Sequence, residues 1–309
     1  MCYCYDVINQ FNMIEKIIEK NDGLRRLDHF VKTHYKLTPK SHIYRMIRKG
    51  YIRVNGKKSK VCVRLQPGDI VVMPEPEKME KGSVVLSTQR KEYLRSQILK
   101  ETEDWLVVNK PDNRPVHAGT GHVCGLVDDY SNVLDQTVYL VHRLDRQTSG
   151  VMILAKNMRS KLAFDEMFKS RQLLKQYEMV TSRPDSEWQS LKCGQPLERV
   201  VTADGSRSRV SPDGLVAESV FTTVAQSGVY QRVQAVTKTG RFHQLRAHLS
   251  YLGHPILGDP WYEGEKSPLG LYLHASKIEF DWGGQEHCVS ADWPDHKLVW
   301  MRERGLYEG

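Results

Sequence analysis

The sequence predicts an α+β protein of two unequal domains, and three observations support that prediction. A chain of 309 residues with 40% hydrophobic residues is long enough for one large core and one small core. Residues 24–73 contain two segments with helical spacing, followed by short β-like runs. After residue 97 many β-like runs alternate with Gly- and Pro-marked turns, whereas helical periodicity appears in 159–170 and 241–252. This pattern predicts a mixed, mostly antiparallel sheet with helices packed on it.

Residues 1–23, the N-terminal segment, carry no pattern that predicts an element. They lack a basic region followed by a long apolar stretch, so we expect no secretory signal. No apolar run approaches the roughly 20 residues needed to span a bilayer. The 6 cysteines form no CxxC pair, which favours reduced thiols and no structural metal. We therefore expect a cytoplasmic protein that does not cross a membrane.

Residues 24–73 concentrate the positive charge of the chain. They hold thirteen Lys and Arg against two Asp, a net charge of +11, while the whole chain carries +8. The other residues together carry −3. A compact basic block on a near-neutral protein is typical of polyanion binding. A solvated basic face without a partner is the alternative explanation.

Two helices and a small sheet are predicted within this basic block. Apolar residues recur at helical spacing in two groups: Leu27, Phe30 and Val31, then Ile43, Met46 and Ile47. The opposite face of the second helix carries basic residues, and Gly50 ends that helix. Residues 51–54 predict a strand, Asn55-Gly56 a tight turn, and 70–72 another strand. The candidate polyanion contacts are Arg45, Arg48, Lys49 and Arg53.

Residues 74–96 are predicted to be a linker between the two domains. The stretch PEPEKMEKGS at 74–83 is rich in Pro and charge and has few core-forming residues, which favours an extended connection. Residues 84–97 show no clear period. The larger domain is therefore expected to cover 97–309, beginning with strands at 98–99 and 105–108.

The most informative stretch is HRLDRQTSG at 142–150, between the apolar runs VYLV and VMILA. Buried strands are predicted on both sides of this polar connection. They would hold it rigidly, so that its polar residues can form a site. Arg143 and Arg146 flank Asp145 and would favour its ionised form. From the pattern alone, an ordinary turn with a solvated Asp remains the other interpretation.

That motif resembles the central motif of the RluA-type pseudouridine synthase family, and further segments extend the resemblance over roughly residues 98–280. They are Asn109-Lys110-Pro111, Val116-His117, Lys175-Gln176-Tyr177, the segment 239–248 (TGRFHQLRAH), Gly253-His254-Pro255-Ile256 with Gly258-Asp259, and Leu273-His274-Ala275. Phe242 departs from the family, which usually has a small hydroxyl residue there. Residues 24–73 resemble the S4 RNA-binding domain, most closely that of the ribosomal large subunit type of the family, synthase C.

The resemblance implies an α+β catalytic domain and names its site residues. Asp145 would act at the ribose, either as a nucleophile at C1′ or as the base that removes the 2′ proton. Tyr177 would stack on the uracil, and Arg241 would pair with Asp145 and lower its pKa. Arg143 would replace the flipped base in the RNA stack or hold its phosphate, and Leu273 would wall the pocket.

The isomerisation implied by the resemblance is redox-neutral and imports no group, so no cofactor is expected. His142, His243 and His274 lie too far apart in sequence, without matching Cys or acid spacing, to favour a metal site. The expected partner is RNA, most specifically 23S rRNA or a large-subunit precursor, bound by a monomer.

Three alternatives remain open at this stage. An S4-type ribosome-associated factor without catalysis would need the basic face and no buried acid. A synthase acting on tRNA would share the catalytic motifs. A glycoside hydrolase would need a second carboxylate, for which the matched segments offer only Asp259.

Overall fold

The structure, a computed structural model, describes residues 13–19, 25–35, 38, 40–75, 86–117, 125–182, 188–202, 205–237 and 239–308. The chain divides into two compact units, residues 1–83 and 84–309. Within the described residues, no helix is long and apolar enough to cross a membrane.

The first unit combines two helices with a four-stranded antiparallel sheet. Its elements are β1 (Met13–Ile17), α1 (Leu27–His34), α2 (Lys40–Lys49), β2 (Arg53–Val54), β3 (Lys57–Lys58) and β4 (Ile70–Pro74), with strand order β1-β4-β2-β3. The apolar residues predicted to lie on the inner faces of the helices are all buried. Asn55 and Gly56 both have positive φ angles, as the tight turn between β2 and β3 requires.

Two boundaries of this unit differ from the prediction. Strand β1 pairs along its whole length with β4, so part of the expected N-terminal segment belongs to the sheet. It escaped detection because most of its side chains are exposed and give no alternation. The strand expected at 51–54 starts only at Arg53.

The second unit is built on a ten-stranded mixed sheet. Its elements are α3 (Thr88–Ser96), β5 (Ile98–Glu101), β6 (Trp105–Lys110), α4 (Leu126–Val133), β7 (Tyr139–Leu140), β8 (Ser149–Ala155), α5 (Met158–Lys169), β9 (Leu174–Ser182), β10 (Ser190–Cys193), β11 (Leu197–Thr202), β12 (Gly205–Val210), β13 (Ser219–Ser227), β14 (Tyr230–Thr237), α6 (Gln244–Tyr251), β15 (Leu273–Trp282), β16 (Gln285–Ser290) and α7 (Asp295–Arg302). The strand order is β10-β13-β14-β9-β15-β8-β6-β5, with β16 on β15 and β7 on β8, and β11 and β12 form a separate hairpin. This arrangement confirms the predicted α+β class with a mostly antiparallel sheet.

The expected linker is shorter than 74–96. Helix α3 occupies Thr88–Ser96, with the Ser87 hydroxyl accepting a hydrogen bond from the Arg90 N–H at 3.2 Å. Leu94 is the buried residue of this polar helix, and one apolar residue cannot reveal a period. Residues 76–85 of the expected linker lie outside the described residues.

One parallel pairing brings the predicted site segments together. β15 runs parallel to β8, with His274 opposite Ser149 and Ala275 opposite Gly150. A Cβ on Gly150 would lie 2.2 Å from the Ala275 carbonyl oxygen, so only glycine permits this approach. The start of β8, which follows the HRLD segment, therefore lies beside the start of β15.

Candidate active site

A buried lysine fastens the loop that carries Asp145. The Lys110 ammonium donates hydrogen bonds to the carbonyls of Pro111 at 2.9 Å, Arg146 at 3.0 Å and Thr148 at 2.7 Å. Its side chain is fully buried, and burial lowers the pKa of Lys110 to about 7, against the opposing pull of Asp112 and Asp145. Three carbonyl acceptors use all three N–H groups of an ammonium, which favours the charged form. Lys110 thus anchors the loop through the loop's backbone carbonyls.

Two of the three histidines considered as metal ligands serve as hydrogen-bonded scaffold. His142 stacks on Phe168, and its Nε2 accepts the Ile153 N–H at 2.9 Å. His274 Nδ1 lies 2.8 Å from the Ser149 hydroxyl, and its Nε2 lies 3.0 Å from the Ala291 carbonyl oxygen, to which it donates. Within the described ranges, no group of three or more His, Cys, Asp or Glu side chains could hold a metal ion.

The predicted pocket residues of the larger domain meet at one cavity of about 670 Å³. Its lining includes every member predicted in that domain: Arg143, Asp145, Tyr177, Arg241 and Leu273. This volume falls in the range of sites that enclose one small ligand or one nucleotide base with its sugar. β7 and β8 flank the loop as predicted, although β7 is only two residues long and half-buried rather than a buried strand.

The partner of Asp145 is Arg246, which corrects the predicted pairing with Arg241. Arg246 Nη1 lies 3.3 Å from Asp145 Oδ2. Arg241 instead donates its Nε–H to the Val216 carbonyl at 3.0 Å. Arg241 lies in the turn before α6, whereas Arg246 lies within that helix and reaches Asp145 from there.

A second carboxylate holds Arg246 in position. Arg246 Nε lies 2.6 Å from Asp259 Oδ2, and its Nη2 lies 2.8 Å from Asp259 Oδ1. Both side chains are almost completely buried. A two-pronged contact of this kind fixes the plane of a guanidinium, and the remaining nitrogen then points at Asp145.

The pKa of Asp145 is raised, contrary to the lowered value expected from the sequence. Burial is the largest cause, and Arg246, Arg143 and Lys110 oppose it without cancelling it. The side chain is 22% exposed, and it reaches solvent through the pocket. A carboxylate with a raised pKa is a stronger base and nucleophile than a solvated one.

His243 is a second neighbour of Asp145 that sequence reasoning missed. Its Nε2 lies 3.4 Å from Asp145 Oδ2, and its Nδ1 lies 3.1 Å from the Tyr262 hydroxyl. Burial lowers the pKa of His243 to about 3, with Arg246 adding to that effect. The ring is therefore neutral. His243 itself has a φ of 51° and lies directly before α6. Packing of its ring holds the backbone in this conformation, which is rare for a non-glycine residue.

Tyr177 lies on β9 and faces the cavity while half-buried. Burial raises the pKa of its hydroxyl, and the charge of Asp145 raises it further, so Tyr177 stays a neutral phenol. Leu273, at the start of β15, is 4% exposed and forms part of the apolar wall.

The turn before α6 is fixed by Gln244. Its amide oxygen accepts the Thr239 hydroxyl at 2.8 Å and the Arg241 N–H at 3.0 Å. Its amide nitrogen donates to the Glu218 carbonyl at 2.8 Å and to the Ser219 hydroxyl at 3.0 Å. These four contacts fix the start of α6 and thereby the position of Arg246 on that helix.

The predicted basic contacts of the first unit are all exposed. Arg45, Arg48 and Lys49 are exposed on α2, while Ile43 and Ile47 on the same helix are completely buried. Arg53 is also exposed, and its Nε–H donates to the Gly50 carbonyl at 3.0 Å. The sequence therefore predicted correctly which face of the helix would be basic.

Comparisons with known proteins agree with this architecture. A family described as RNA pseudouridylate synthase matches residues 104–251, and the S4 domain matches residues 25–71. Ribosomal large subunit pseudouridine synthase C of Pasteurella multocida is 35% identical over 289 residues, which cover 89% of this chain and 88% of that protein. Its Escherichia coli counterpart is 33% identical over 294 residues, covering 90% of this chain and 91% of that protein.

Solved structures share the fold. Human RNA pseudouridylate synthase domain containing 4 covers 74% of this chain and 98% of its own, with a TM-score of 0.57 and 24% identity. Human RNA pseudouridylate synthase domain containing 1 covers 64% and 83%, with a TM-score of 0.55 and 22% identity. With the sequence relatives matching over nearly their whole length, this chain belongs to the RNA pseudouridine synthase family and carries an S4 domain before its synthase domain.

Proposed function

We propose that this synthase isomerises uridines of large-subunit ribosomal RNA, 23S rRNA in bacteria, and that Asp145 acts at the ribose. The substrate is supported by the names of relatives that match about nine tenths of the chain, ribosomal large subunit pseudouridine synthases, and by the basic S4 domain. The role of Asp145 rests on one observation: its carboxylate faces a cavity of about 670 Å³ beside a buried arginine and a half-buried tyrosine.

The reaction breaks the bond between ribose C1′ and uracil N1 and forms a bond between C1′ and C5. The C5 proton leaves and N1 gains one, so atoms and electrons balance without a co-reactant. Asp145 must be ionised to attack or to accept a proton. Its raised pKa gives it basicity, and the contacts with Arg246 and His243 hold the ionised oxygen towards the cavity.

Arg246 takes the role that the sequence assigned to Arg241, namely the counter-charge of Asp145. Asp259 holds Arg246 by two short contacts and is 1% exposed. These contacts also disfavour a glycoside hydrolase, which needs a second catalytic carboxylate. Asp259 was the candidate for that role, and Arg246 contacts both of its carboxylate oxygens. Arg241 lines the cavity and is available to contact the RNA backbone.

Tyr177 and Leu273 receive the uracil in this proposal. A neutral phenol ring stacks on a base without adding charge, and the leucine closes the pocket against water. Arg143 is exposed at the same cavity, where a guanidinium can take the place of the flipped base or hold its phosphate.

The exposed basic face of the first unit supplies affinity for the RNA backbone. Arg45, Arg48, Lys49 and Arg53 project to solvent, as phosphate contacts require. We keep the expectations of a monomeric, cytoplasmic enzyme, which sedimentation of the purified protein and cell fractionation would test.

Tritium release from RNA labelled at uridine C5 tests the proposed chemistry. Asp145→Asn removes the charge and keeps the shape, so release should fall below a few per cent of wild type while RNA affinity stays within about twofold. Asp292→Asn changes an exposed acid outside the cavity and serves as the matched control. Substantial release by Asp145→Asn would overturn the assignment of Asp145.

Mapping pseudouridines by carbodiimide-dependent primer extension, in cells with and without the gene, tests the proposed substrate. Sites that disappear from large-subunit rRNA support the proposal. Sites lost only from tRNA would favour the tRNA-directed alternative. No lost site, together with no tritium release by the purified protein, would favour an RNA-binding factor without catalysis.

A further inference from the structure

Arg199 and Phe242 form a cation–π pair in the lining of the cavity. The Arg199 guanidinium carbon lies 4.7 Å from the centre of the Phe242 ring. That ring in turn stacks on His243, with centroids 3.8 Å apart and planes 20° apart. Both residues line the cavity that contains Asp145, and Arg199 is exposed. A guanidinium thus lies over the outer ring of a Phe242–His243 stack that begins beside Asp145.

The β11–β12 hairpin positions Arg199 for this contact. Antiparallel register places Arg199 opposite Ser208, and Ser208 bonds to the carbonyl of Phe242 and to the Tyr262 hydroxyl. This face of the hairpin is therefore attached to the wall of the cavity. The Arg199 Nη2 also donates to the Ser206 hydroxyl at 3.1 Å, which restrains the guanidinium.

The other face of the hairpin carries charges that do not line the cavity. Side chains alternate along a strand, so Glu198 and its opposite residue Arg209 project from the face that Arg199 does not use. They form an ion pair with each other at 3.1 Å. Arg209 is thus an exposed arginine of the same hairpin that does not line the cavity.

We propose that Arg199 and Phe242 form a binding subsite for a nucleobase next to the uridine that enters the cavity; this deepens the proposed function and rests on it. Unpaired RNA bases are recognised by stacking on aromatic rings and on guanidinium planes. Arg199 carries such a guanidinium plane, and its guanidinium lies over the Phe242 ring. Arg143, Lys169 and Arg171 at the same cavity already supply charge for phosphates, so a stacked arginine adds selectivity for a base.

The geometry predicts that planarity matters more than charge. A lysine ammonium carries the same charge as arginine but has no plane to stack on a base. Arg199→Ala and Arg199→Lys should therefore raise the KM for RNA to a similar extent, on the order of tenfold, with kcat within about twofold. Phe242→Leu keeps the bulk beside His243 but removes the ring, and should raise KM by a smaller factor.

The experiment measures tritium release by the full-length protein from large-subunit rRNA and from a short RNA fragment around a mapped uridine. Fragments with an abasic site at each neighbour of that uridine are compared with the intact fragment. One abasic neighbour should raise the wild-type KM about as much as Arg199→Ala does, and the two changes together should add little more. Arg209→Ala is the control and should leave KM and kcat unchanged.

The possible outcomes separate the subsite from the proposed function. Wild-type protein that releases no tritium from large-subunit rRNA would refute the proposed substrate and this subsite with it. An active wild type with a normal KM for Arg199→Lys would show a phosphate contact and overturn the subsite alone. Fully multiplicative effects of Arg199→Ala and every abasic neighbour would also overturn it, because no base then depends on Arg199.

Discussion

The basic residues of α2 in the first unit and the cations buried around Asp145 in the second unit lie in opposite environments. On α2 of the first unit, Arg45, Arg48 and Lys49 are exposed to solvent. In the second unit, Arg246 is 3% exposed and Lys110 is fully buried, and each makes several short contacts. Exposed charges act over distances limited by salt and tolerate imprecise positions. Buried charges act on one fixed neighbour, and their loss leaves that neighbour without compensation.

This difference suggests that affinity for RNA and chemistry on the uridine are separately encoded. Changes to the exposed cations should alter binding and its salt dependence while leaving the catalytic step intact. Changes to the buried cations should alter stability and the catalytic step at every salt concentration.

The largest expected effect comes from Arg246→Met. It leaves Asp259, which is 1% exposed, without its counter-charge. Removing one partner of a buried pair costs about 3–5 kcal/mol of unfolding free energy, and tritium release should fall more than about 100-fold because Asp145 loses the same partner. Urea denaturation and tritium release measure the two effects. Arg241→Met is the matched control, because it loses one bond to a carbonyl, worth about 1 kcal/mol. A larger loss in Arg241→Met than in Arg246→Met would contradict the observed pairing.

The pH dependence of Arg246→Lys tests whether Arg246 controls the ionisation of Asp145. Burial raises the folded pKa of Asp145 and Arg246 opposes that rise, so a weaker contact at position 246 should raise the pKa further. An acid with a raised folded pKa costs stability at neutral pH, and that cost disappears as pH falls through the folded pKa. The stability deficit of Arg246→Lys should therefore shrink on acidification, and the acidic limb of kcat/KM should move to higher pH. An unchanged limb would mean that Arg246 does not control Asp145.

The contrast between Arg241 and Arg246 also shows where sequence reasoning stopped. Both arginines lie in the segment 239–248, and the prediction that Arg241 pairs with Asp145 was wrong, because Arg246 makes that contact. The choice between them depends on where α6 begins, which Gln244 determines through four hydrogen bonds in three dimensions. A signal was nevertheless present: Arg246 lies between Leu245 and Ala247 in a helical segment, and an arginine among apolar neighbours needs a carboxylate.

Other features were predictable to different degrees. The basic face of α2 follows from helical periodicity, and the buried apolar residues confirm it. The scaffold role of Lys110 was not predictable, because two of its three acceptors are backbone carbonyls of a loop 36 and 38 residues away. The raised pKa of Asp145 was missed because burial, which outweighs the arginines, depends on how far the surrounding strands enclose the loop.

Lys110→Met is expected to have the second largest effect. It leaves three carbonyls without their donor, two of them in the loop that carries Asp145. The free energy of unfolding should fall by about 2–4 kcal/mol, and kcat should fall because the loop loses its support. Lys297→Met provides a matched control, since Lys297 is equally buried and bonds to the Leu271 carbonyl and Asp112. Equal losses of kcat in the two variants, at equal stability, would show that the loop needs no support from Lys110.

Replacing Arg45, Arg48 and Lys49 together by Gln should affect binding alone. Each lost phosphate contact lowers the slope of log K against log salt by about 0.7–0.9, so the slope should fall by up to about 2–3, with kcat at saturating RNA unchanged. Fluorescence anisotropy over a salt series measures the slope. A double variant, Arg45→Lys with Arg48→Lys, keeps the charge and should keep the slope. A fall in kcat without a change in slope would contradict the separation of affinity from chemistry.

The smallest expected effect is that of His243→Gln, which tests whether a neutral neighbour of Asp145 matters as the charged ones do. His243 Nε2 lies 3.4 Å from Asp145 Oδ2, and burial lowers the pKa of the ring to about 3. The ring therefore stays neutral above pH 5 and contributes a polar contact and packing without any charge. Glutamine can still donate a hydrogen bond, so kcat should fall by less than about tenfold.

The acidic limb of kcat/KM should remain in the His243→Gln variant, because it belongs to Asp145. It should shift upwards by less than in Arg246→Lys, since a neutral donor stabilises a carboxylate less than a guanidinium does. Disappearance of that limb in His243→Gln would show that His243 titrates in the working range, and a protonated histidine would then join the buried cations of the site.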